Sequence, residues 1–496
     1  MAHLALQGAN RPDEGSLGAP EIFPEEITVE EEIGSGSFGK VYKGRCRQKP
    51  VAVKILHRTF DKRTLLAFRR EVKIMSKIFH PNICLFMGAC LLPEKPCMMV
   101  TELLPKGDVE SLLHDSKVTL SLFLRMKMAR DAALGMNWLH CSNPVFIHRD
   151  LKSSNLLVDN NMNVKVCDFG LSQLIPRDHK VKDRQNAKGT PLWMAPEVMM
   201  FQEFNEKCDV YSFGIVLWEL LTRQEPFSEY TSFEVFKADV CHKQVRPIIP
   251  ADTPSSLSIL ISRCWSADPN ERPSFEAIIG QLHKVIIDVS IRDEAARDFW
   301  TIHFIKREEV HWPEFLEAFC KFTGLPDDSM RERNIKSLHA LLEPKKDEGG
   351  AEAVSIEQFG RLIDWFGLKK SKSDDGGEDS IFDRMREMVQ KTWFHGEITT
   401  QEANQKLSTL PAGTFLVRFS STHNGSYTIS SLPQSGGKVK HQRVSYVEGV
   451  GYTLNGETKP SLEVMVRDAN DLLIPCPGSK YQSLFVEQST EMMGYE

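Results

Sequence analysis

The chain has 496 residues, of which 41% are hydrophobic and 26% are charged, and its formal net charge at pH 7 is -6. This length suits roughly three domains, the composition is that of an ordinary globular protein, and the small net charge does not indicate nucleic-acid binding. The eleven cysteines are scattered without a Cys-x-x-Cys pair, which argues against a zinc site and favours a reducing compartment. No signal peptide is predicted, because the start of the chain carries Arg11, Asp13 and Glu14 and has no apolar core. No transmembrane segment is predicted, because no apolar run is long enough to cross a bilayer.

The first clear motif follows residues 1–25, which lack periodicity and are expected to form a flexible arm. The motif is a run with glycines at G-x-G-x-x-G spacing: Ile33-Gly34-Ser35-Gly36-Ser37-Phe38-Gly39-Lys40-Val41. Glycines at this spacing let backbone N–H groups approach phosphates without side-chain interference. Alone, the spacing fits an ordinary hairpin turn equally well. One short strand later comes Val51-Ala52-Val53-Lys54.

A helix is predicted next, because Phe68, Val72 and Met75 fall on one face at helical spacing. Glu71 lies beside that face and is a candidate partner for Lys54. The alternative interpretation is a surface glutamate with a neighbouring arginine. The apolar strand Met98-Met99-Val100-Thr101-Glu102-Leu103-Leu104 then ends in a polar turn.

The densest motif runs from Phe146 to Gly170. It contains His148-Arg149-Asp150-Leu151-Lys152-Ser153-Ser154-Asn155, followed by Asp168-Phe169-Gly170. Asp150 can accept a hydroxyl proton, and Asn155 and Asp168 offer the hard oxygen ligands that magnesium prefers.

Taken in order, these segments resemble the protein kinase family, which is marked by a glycine-rich loop, V-A-I-K, H-R-D-L-x-x-x-N and D-F-G. The resemblance implies a bilobal fold that uses ATP and Mg²⁺. It assigns nucleotide contacts to the glycine-rich loop and to Ala52, Lys54, Thr101, Glu102, Leu103 and Leu157. It assigns phosphotransfer to Asp150 and Lys152, the active-state ion pair to Lys54 and Glu71, and magnesium to Asn155 and Asp168. It also pairs Glu197 with Arg272, and it makes Asp209 the anchor of the catalytic-loop backbone.

The substrate class is indicated by residues of the catalytic loop and of the segment that ends at Glu197. Lys152 and the Gly189-Thr190 start of the segment ending at Glu197 favour serine/threonine substrates, whereas Leu192-Trp193-Met194 is typical of tyrosine kinases. This mixture resembles the tyrosine-kinase-like group, whose members are mostly serine/threonine or dual-specificity enzymes. A strict tyrosine kinase and a catalytically inactive scaffold remain as alternatives.

The activation segment has an unusual composition, since no Ser, Thr or Tyr occurs between Gln173 and Gly189. Many kinases order this segment with a phosphate that pairs with the arginine of H-R-D. Here only Ser172 and Thr190, at its ends, could be modified. The hypothesis is that Arg149 has no phosphate partner in the middle of the segment, and that activation depends on localisation or self-association.

The kinase pattern stops near Ser290, and residues 291–390 show apolar spacing typical of helices. Pro313 stands in the first turn of one of them. The run from Asp347 to Gln358 superficially resembles an EF-hand loop. Gly349 and Ala351 occupy positions that need oxygen ligands, and Gln358 replaces the bidentate glutamate, so calcium is not expected.

Two segments near the C-terminus resemble the hallmarks of a Src-homology-2 (SH2) domain, namely Trp393-Phe394-His395-Gly396 and Gly413-Thr414-Phe415-Leu416-Val417-Arg418-Phe419-Ser420. Alternation along a strand places Arg418 on the inward wall, where a bare charge is costly. A bidentate grip on phosphotyrosine explains it better than an exposed strand arginine does.

The remaining residues of this pocket are assigned by the same resemblance. Ser420 and Ser421 are expected to donate hydrogen bonds to the phosphate, and His441 and Arg443, alternate residues of a later strand, to line the same pocket. Many SH2 domains carry an arginine where Thr400 stands, so one phosphate contact is expected to be missing.

The sequence therefore predicts a multidomain α+β protein. Its parts are an arm (1–25), a bilobal kinase domain (26–290), a helical linker (291–390) and an SH2 fold (391–490) with a central antiparallel sheet flanked by two helices. The expected partners are protein substrates and tyrosine-phosphorylated proteins, not nucleic acid. The expected location is the cytoplasm, with recruitment to the inner membrane face left open. This domain order resembles that of the amoebal SH2-bearing kinases of the tyrosine-kinase-like group.

Overall fold

A computed structural model describes residues 20–485, with the exception of 37–38, 57–61, 93–94, 178, 183–188, 326, 348, 369–370, 373–377, 421–422, 424 and 448–449. The chain divides into two compact units, with the boundary between Ile286 and Ile287. Among the helices of these described residues, none combines the length and the apolar character needed to cross a membrane.

The first unit begins with a five-stranded antiparallel sheet in the order β1-β2-β3-β5-β4. Its strands are β1 (Ile27–Gly36), β2 (Gly39–Cys46), β3 (Lys49–Leu56), β4 (Phe86–Cys90) and β5 (Met98–Glu102). Val51 and Val53 of β3 are buried, whereas Lys54 faces the opposite side, because successive side chains of a strand alternate. Lys54 therefore projects from the face of the sheet opposite to the face that buries Val51 and Val53.

Helix α1 (Lys62–Met75) lies in the sheet-containing part of this unit. Phe68, Val72 and Met75, the face predicted from the sequence, are all buried. Glu71 lies beside them and is only 2% exposed. Burial of a carboxylate at this depth requires a partner.

A short segment before β1 forms part of the core. Ile22 is 3% exposed, and its N–H donates to Ala89 O at 3.0 Å, while Ala89 N–H donates to Pro20 O at 3.0 Å. A Cβ at Gly88 would lie 2.7 Å from the Ile22 side chain, so glycine is required for this close approach. The predicted arm therefore ends earlier than residue 25, because an apolar residue within it packs into the sheet.

The rest of the first unit is mainly helical. Its helices are α2 (Val109–His114), α3 (Leu122–Cys141), α4 (Pro196–Met199), α5 (Lys207–Thr222), α6 (Phe233–His242), α7 (Ser255–Cys264) and α8 (Phe275–Ser290). Its short strands form three pairs: β6 (Val145–Ile147) with β9 (Gln173–Ile175), β7 (Leu156–Val158) with β8 (Val164–Val166), and β10 (Val181–Lys182) with β11 (Glu203–Phe204). Helix α5 is buried on nearly all sides and forms the centre of this part.

Two buried acidic residues tie the helical part together. Arg272 donates to Glu197 at 2.6 and 2.9 Å, which is the ion pair expected from the sequence. Glu219 of α5 accepts hydrogen bonds from Ser153 Oγ at 2.7 Å and Trp193 Nε1 at 2.7 Å. Burial raises the pKa of Glu219 to about 8 in spite of these two bonds.

The second unit opens with helices and short strands: α9 (Glu294–Phe304), β12 (Glu309–His311), α10 (Trp312–Thr323), α11 (Arg331–Leu342), β13 (Lys345–Lys346), β14 (Glu352–Ser355) and α12 (Ile356–Phe366). The strands join in the order β12-β14-β13 and link two helix pairs. The predicted linker is thus helical but also contains a small sheet, which its short strands did not reveal in the sequence pattern.

The EF-hand-like positions have structural roles here. Asp347 Oδ1 accepts the N–H groups of Gly349 and Ala351 at 2.9 Å, which closes a turn. The Gln358 side chain caps α12 by accepting from Ser355 N–H at 2.8 Å and donates to the carbonyl of Leu342 at 3.0 Å.

Beyond α12 lie the two-residue strands β15 (Ser371–Lys372) and β16 (Glu378–Asp379), within a stretch expected to be a loop, and then α13 (Ile381–Gln390). A sheet of seven strands follows, in the order β17-β18-β19-β20-β21-β22, with β23 beside β18. Its elements are β17 (Phe394–Gly396), α14 (Thr400–Leu407), β18 (Thr414–Phe419), β19 (Tyr427–Ser431), β20 (Lys440–Val447), β21 (Gly451–Leu454), β22 (Glu457–Lys459), α15 (Leu462–Asp468) and β23 (Ile474–Pro475).

An aromatic contact joins the helices to this sheet. The Trp365 ring stacks on Phe419 with 3.5 Å between centroids and 9° between planes. Phe366 also meets Phe419, edge to face at 6.2 Å. The helical segment and the sheet therefore share one core, so the predicted boundary at residue 390 does not separate two compact units.

We expect Ile22→Ala to lower the unfolding free energy of the first unit by about 2–4 kcal/mol, because it removes a buried side chain from a packed sheet. Urea denaturation of the full chain measures this. Phe23→Ala is the matched control, since Phe23 is 47% exposed and should change stability little. Equal stability of the two variants would contradict the placement of Ile22 in the core.

Glu219 predicts a pH dependence of stability. Its pKa is raised in the folded state, so the folded chain holds an extra proton between about pH 4.5 and about pH 8. The unfolding free energy should fall as pH rises through this window, by at most about 1.4 kcal/mol per pH unit.

Glu219→Gln should flatten this dependence, because glutamine mimics the protonated acid. Urea denaturation at about pH 6 and about pH 8 measures the slope, with Glu276→Gln on the exposed side of α8 as the control. Parallel pH profiles of the wild type and Glu219→Gln would exclude Glu219 as the cause.

Candidate active site and phosphate-binding pocket

The glycine-rich segment forms the turn between β1 and β2. Gly34 lies opposite Val41 and Gly36 lies opposite Gly39, so the two strands close toward the tip. A Cβ at Gly39 would collide with the carbonyl oxygen of Ile55, so only glycine fits. Ser37 and Phe38, two of the predicted nucleotide contacts, lie outside the described residues. Ile33, Ser35 and Lys40 lie on the same two strands.

Behind this turn, three charged side chains meet. Lys54 Nζ lies 2.8 Å from Glu71 Oε1 and 3.6 Å from Asp168 Oδ1. Burial disfavours the ammonium, but the carboxylates of Glu71 and Asp168 outweigh it and raise the pKa of Lys54. Burial likewise acts against the Asp168 carboxylate, yet Lys54 and the N–H of Gly170 keep its pKa below the usual value. Lys54 and Asp168 are therefore both charged at neutral pH.

The predicted adenine pocket is framed by β3, β5 and β7. Ala52 lies directly opposite Thr101, and Leu157 lies opposite Lys165. The N–H of Glu102 already donates to Leu85 O at 3.0 Å, so this group of the predicted hinge is not available to a nucleotide. Leu103 follows directly after β5.

Lys165 is a residue that the sequence analysis did not single out. Its Nζ donates to both carboxylate oxygens of Glu102, at 2.8 and 2.9 Å, and thereby ties β8 to the end of β5. The only sequence signal is a lysine between the buried Val164 and Val166 on a strand that leads to Asp168.

The Asp150 carboxylate is held by three neighbours. Oδ1 accepts the N–H of Thr190 at 2.9 Å and its hydroxyl at 2.8 Å, and Oδ2 accepts Asn155 Nδ2 at 3.1 Å. Lys152 Nζ donates to the same Thr190 hydroxyl at 2.8 Å and lies 3.8 Å from Asp150 Oδ2. From the sequence, Thr190 indicated the substrate class and was a residue that could be modified. In the structure it also fixes the carboxylate and places Lys152 beside it.

The backbone just before Asp150 is anchored by Asp209 of α5. Its carboxylate accepts the N–H groups of His148 and Arg149 at 2.8 Å and contacts His140 Nε2 at 2.9 Å. Burial acts to raise the pKa of Asp209, but these hydrogen bonds and the nearby histidines lower it. The left-handed φ of 70° at Arg149 is stabilised by this anchor.

The Arg149 side chain contacts an amide and an aromatic ring. Its Nη1 donates to Gln173 Oε1 at 3.1 Å, and the guanidinium carbon lies 5.0 Å from the centre of the Phe204 ring. Phe204 pairs with Val181 of the activation segment in the β10–β11 ladder. The arginine of H-R-D therefore packs against β11, the strand that pairs with β10 of the activation segment.

The kinase resemblance implies magnesium, and two residues suit it. Asn155 is 6% exposed, and its amide nitrogen is committed to Asp150, which leaves the amide oxygen as the end available to a cation. Asp168 supplies an ionised carboxylate whose side chain is 46% exposed. Hard oxygen donors fit Mg²⁺. Over the described ranges, no group of three or more His, Cys, Asp or Glu side chains could hold a further metal.

In the second unit, Arg418 of β18 is 3% exposed. Its guanidinium donates to four neutral oxygens: Thr400 Oγ1 at 2.9 Å, Ile398 O at 3.3 Å, Ser430 Oγ at 3.4 Å and Phe419 O at 3.4 Å. Burial lowers its pKa, and no carboxylate of the described residues forms an ion pair with it. A buried cation held only by neutral oxygens is arranged to receive an anion.

His441 belongs to a chain of hydrogen bonds that leads to Arg418. Ser430 Oγ lies 2.9 Å from His441 Nδ1, and His441 Nε2 lies 3.1 Å from Asn404 Oδ1. Ser430 and His441 are directly opposite on neighbouring strands. Sequence analysis identified His441 but missed Ser430 and Asn404, since only the strand register and the placement of α14 reveal them.

The other predicted pocket residues are only partly described. Ser420 is 7% exposed, and its Oγ accepts His423 N–H at 3.3 Å, while Ser421 lies outside the described residues. Arg443 faces the same side of the sheet as Arg418, because both lie directly opposite Thr428 on its two neighbouring strands.

Comparison with known proteins identifies the two domains that contain these residues. Residues 27–282 match the family profile of protein tyrosine and serine/threonine kinases, and residues 393–468 match that of SH2 domains. Two Dictyostelium discoideum proteins, named dual specificity protein kinases shkC and shkA, are 52% and 48% identical. The alignments cover 99% and 97% of this chain and 99% and 93% of those proteins. A probable serine/threonine-protein kinase of Arabidopsis thaliana, SIS8, is 46% identical over 53% of this chain and 25% of its own length. The chain therefore belongs to the protein tyrosine and serine/threonine kinase family and is a protein kinase with a C-terminal SH2 domain.

Proposed function

We propose that this kinase transfers the γ-phosphoryl group of ATP to serine, threonine and tyrosine hydroxyls of proteins, and that Arg418 directs it to tyrosine-phosphorylated partners. The observation that carries the catalytic half is the ionised Lys54–Asp168 pair beside an Asp150 carboxylate fixed by Thr190. Lys152 and Thr190 favour serine/threonine acceptors, and two relatives named dual specificity kinases support tyrosine as well.

The chemistry follows from the positions of these side chains. Asp150 orients the acceptor hydroxyl and takes its proton as the oxygen attacks the γ-phosphorus, while ADP leaves. Lys152, next to Asp150, stabilises negative charge on the transferred group. Lys54, on β3, binds the nucleotide phosphates. When bound by Asn155 and Asp168, magnesium would neutralise phosphate charge.

The SH2 half of the proposal rests on Arg418. A phosphotyrosine phosphate carries nearly two negative charges at neutral pH and would supply the counter-charge that Arg418 lacks in the fold. Binding at this site raises the local concentration of substrates near the kinase. In this proposal the enzyme works in the cytoplasm, and at the inner membrane face wherever its phosphotyrosine partners lie.

We also propose that activity does not need a phosphate on the activation segment. Ser172 is 3% exposed, with its hydroxyl directed at His148 O, and the Thr190 hydroxyl is taken by Asp150 and Lys152. Arg149, the usual partner of such a phosphate, is packed against Phe204 and Gln173. These contacts support the sequence-based hypothesis that activation comes from localisation or self-association.

Phosphotransfer onto mixed peptides, followed by phosphoamino-acid analysis, tests the catalytic assignment. We expect phosphoserine, phosphothreonine and phosphotyrosine from the wild type. Asp150→Asn should lower the rate by about a hundredfold or more, while phosphotyrosine binding stays intact. Arg418→Leu should keep the phosphotransfer rate and lose phosphotyrosine binding. Arg467→Leu, whose side chain is 70% exposed, is the control for Arg418. Phosphotyrosine as the sole product would establish a strict tyrosine kinase, and turnover by Asp150→Asn at the wild-type rate would refute the assigned base.

Phosphatase treatment of the purified full chain tests the activation proposal. The treated enzyme and a Ser172→Ala variant should both keep most of the wild-type phosphotransfer rate, because no phosphate orders the segment. Mass spectrometry confirms removal of phosphate. A drop of about tenfold or more, restored by Ser172→Asp, would show that the segment does need a phosphate.

A further inference from the structure

Thr400 stands where the sequence predicts a lost phosphate contact. In the structure its hydroxyl makes the shortest of the four contacts to Arg418, at 2.9 Å from Nη2. The residue is exposed, so a ligand can reach it. Thr400 is the first residue of α14, and the preceding Thr399 fixes the helix start through a capping box with Glu402. The hydroxyl position is therefore set by the fold.

A threonine hydroxyl has one proton to donate and two lone pairs that accept. At Thr400 one lone pair receives the Arg418 N–H, which leaves the proton free to point at an anion on the same guanidinium. Such a bond to a phosphate oxygen would be charge-assisted and thus stronger than a neutral one. Thr400 can orient Arg418 and contact its ligand at the same time.

The opposite edge of Arg418 is held by the chain of hydrogen bonds through Ser430 and His441. The donor order is consistent throughout if the ring carries its proton on Nε2: Arg418 Nε to Ser430 Oγ, Ser430 Oγ to His441 Nδ1, and His441 Nε2 to Asn404 Oδ1. Both ring nitrogens are then occupied within the fold. His441 has no free N–H for a phosphate, which increases the need for another donor.

Asn404 and Thr400 stand four residues apart on α14 and hence on the same face of the helix. The helix thus contacts the network at both ends, at Thr400 beside Nη2 and at Asn404 beyond the ring. The Nη2 end of the guanidinium therefore lies next to the Thr400 hydroxyl.

We propose that Thr400 is a ligand-binding residue of this pocket, whose hydroxyl donates to the phosphomonoester held by Arg418. The inference rests on the proposed phosphotyrosine-binding function and makes it more specific. The position that the sequence analysis expected to lack a phosphate contact has a hydroxyl donor in place of a cation, and His441 acts on Arg418 through Ser430.

The test uses the full chain and two probes, phenyl phosphate and a phosphotyrosine peptide, with affinity measured by calorimetry. Thr400→Val keeps the shape and removes the hydroxyl, so we expect binding of both probes to weaken by about tenfold. Thr400→Ser should restore most of the affinity. Gln405→Ala, an exposed substitution elsewhere on α14, should bind like the wild type. Urea denaturation should show that Thr400→Val is folded and about as stable as Thr400→Ser, so that a difference in binding between the two reports the hydroxyl.

The outcomes separate this inference from the function on which it rests. If Arg418→Leu abolishes binding but Thr400→Val binds like the wild type, the role of Thr400 is wrong and the pocket stands. If Thr400→Ser is as weak as Thr400→Val, the hydroxyl is not the cause and the inference again fails. If Arg418→Leu binds both probes like the wild type, the proposed phosphotyrosine pocket fails together with it.

Discussion

A charged side chain that is taken out of water has to be met by opposite charge or by a full set of hydrogen bonds, and both sites of this kinase are built on that constraint. Lys54 is met inside the fold by Glu71 and Asp168. Among the residues that the structure describes, Arg418 is met by neutral oxygens only. In the first arrangement, carboxylates of the fold balance the charge of Lys54 and so position the catalytic groups. In the second, the positive charge of Arg418 remains for an anionic ligand to balance.

The catalytic groups are positioned largely by residues that do not take part in the chemistry. Asp209 accepts the N–H groups of His148 and of the left-handed residue Arg149, and Thr190 fixes the Asp150 carboxylate and places Lys152. These contacts come from separate stretches of the chain. Phosphotransfer depends mainly on positioning and charge stabilisation, so residues of this kind carry much of the function.

Much of the kinase core could be predicted from the sequence, because its motifs encode local chemistry. The Lys54–Glu71 pair, the Glu197–Arg272 pair and the anchoring role of Asp209 are all present in the structure. The buried face of α1 followed from helical periodicity. The two family profiles match the kinase and SH2 segments expected from the motifs.

What could not be predicted depends on contacts between residues far apart in the sequence. The Lys165–Glu102 pair needs the register of β8 against the end of β5, and the Ser430–His441–Asn404 chain needs three elements at once. Ile22 gave no periodic signal because a single buried residue has none. The stacking of Trp365 on Phe419 joins the helices to the SH2 sheet, and neither residue belongs to a pattern that names its partner.

The proposed function requires two phosphate sites in this chain, one built on Lys54 and Asp168 and the other on Arg418. A crystal structure of the full chain with magnesium, a non-hydrolysable ATP analogue and a phosphotyrosine peptide would show both sites at once. We expect nucleotide phosphates at Lys54, the metal between Asn155 and Asp168, and the peptide phosphate on the Arg418 guanidinium beside Thr400. A nucleotide bound away from Lys54, or a peptide phosphate that does not touch Arg418, would contradict it.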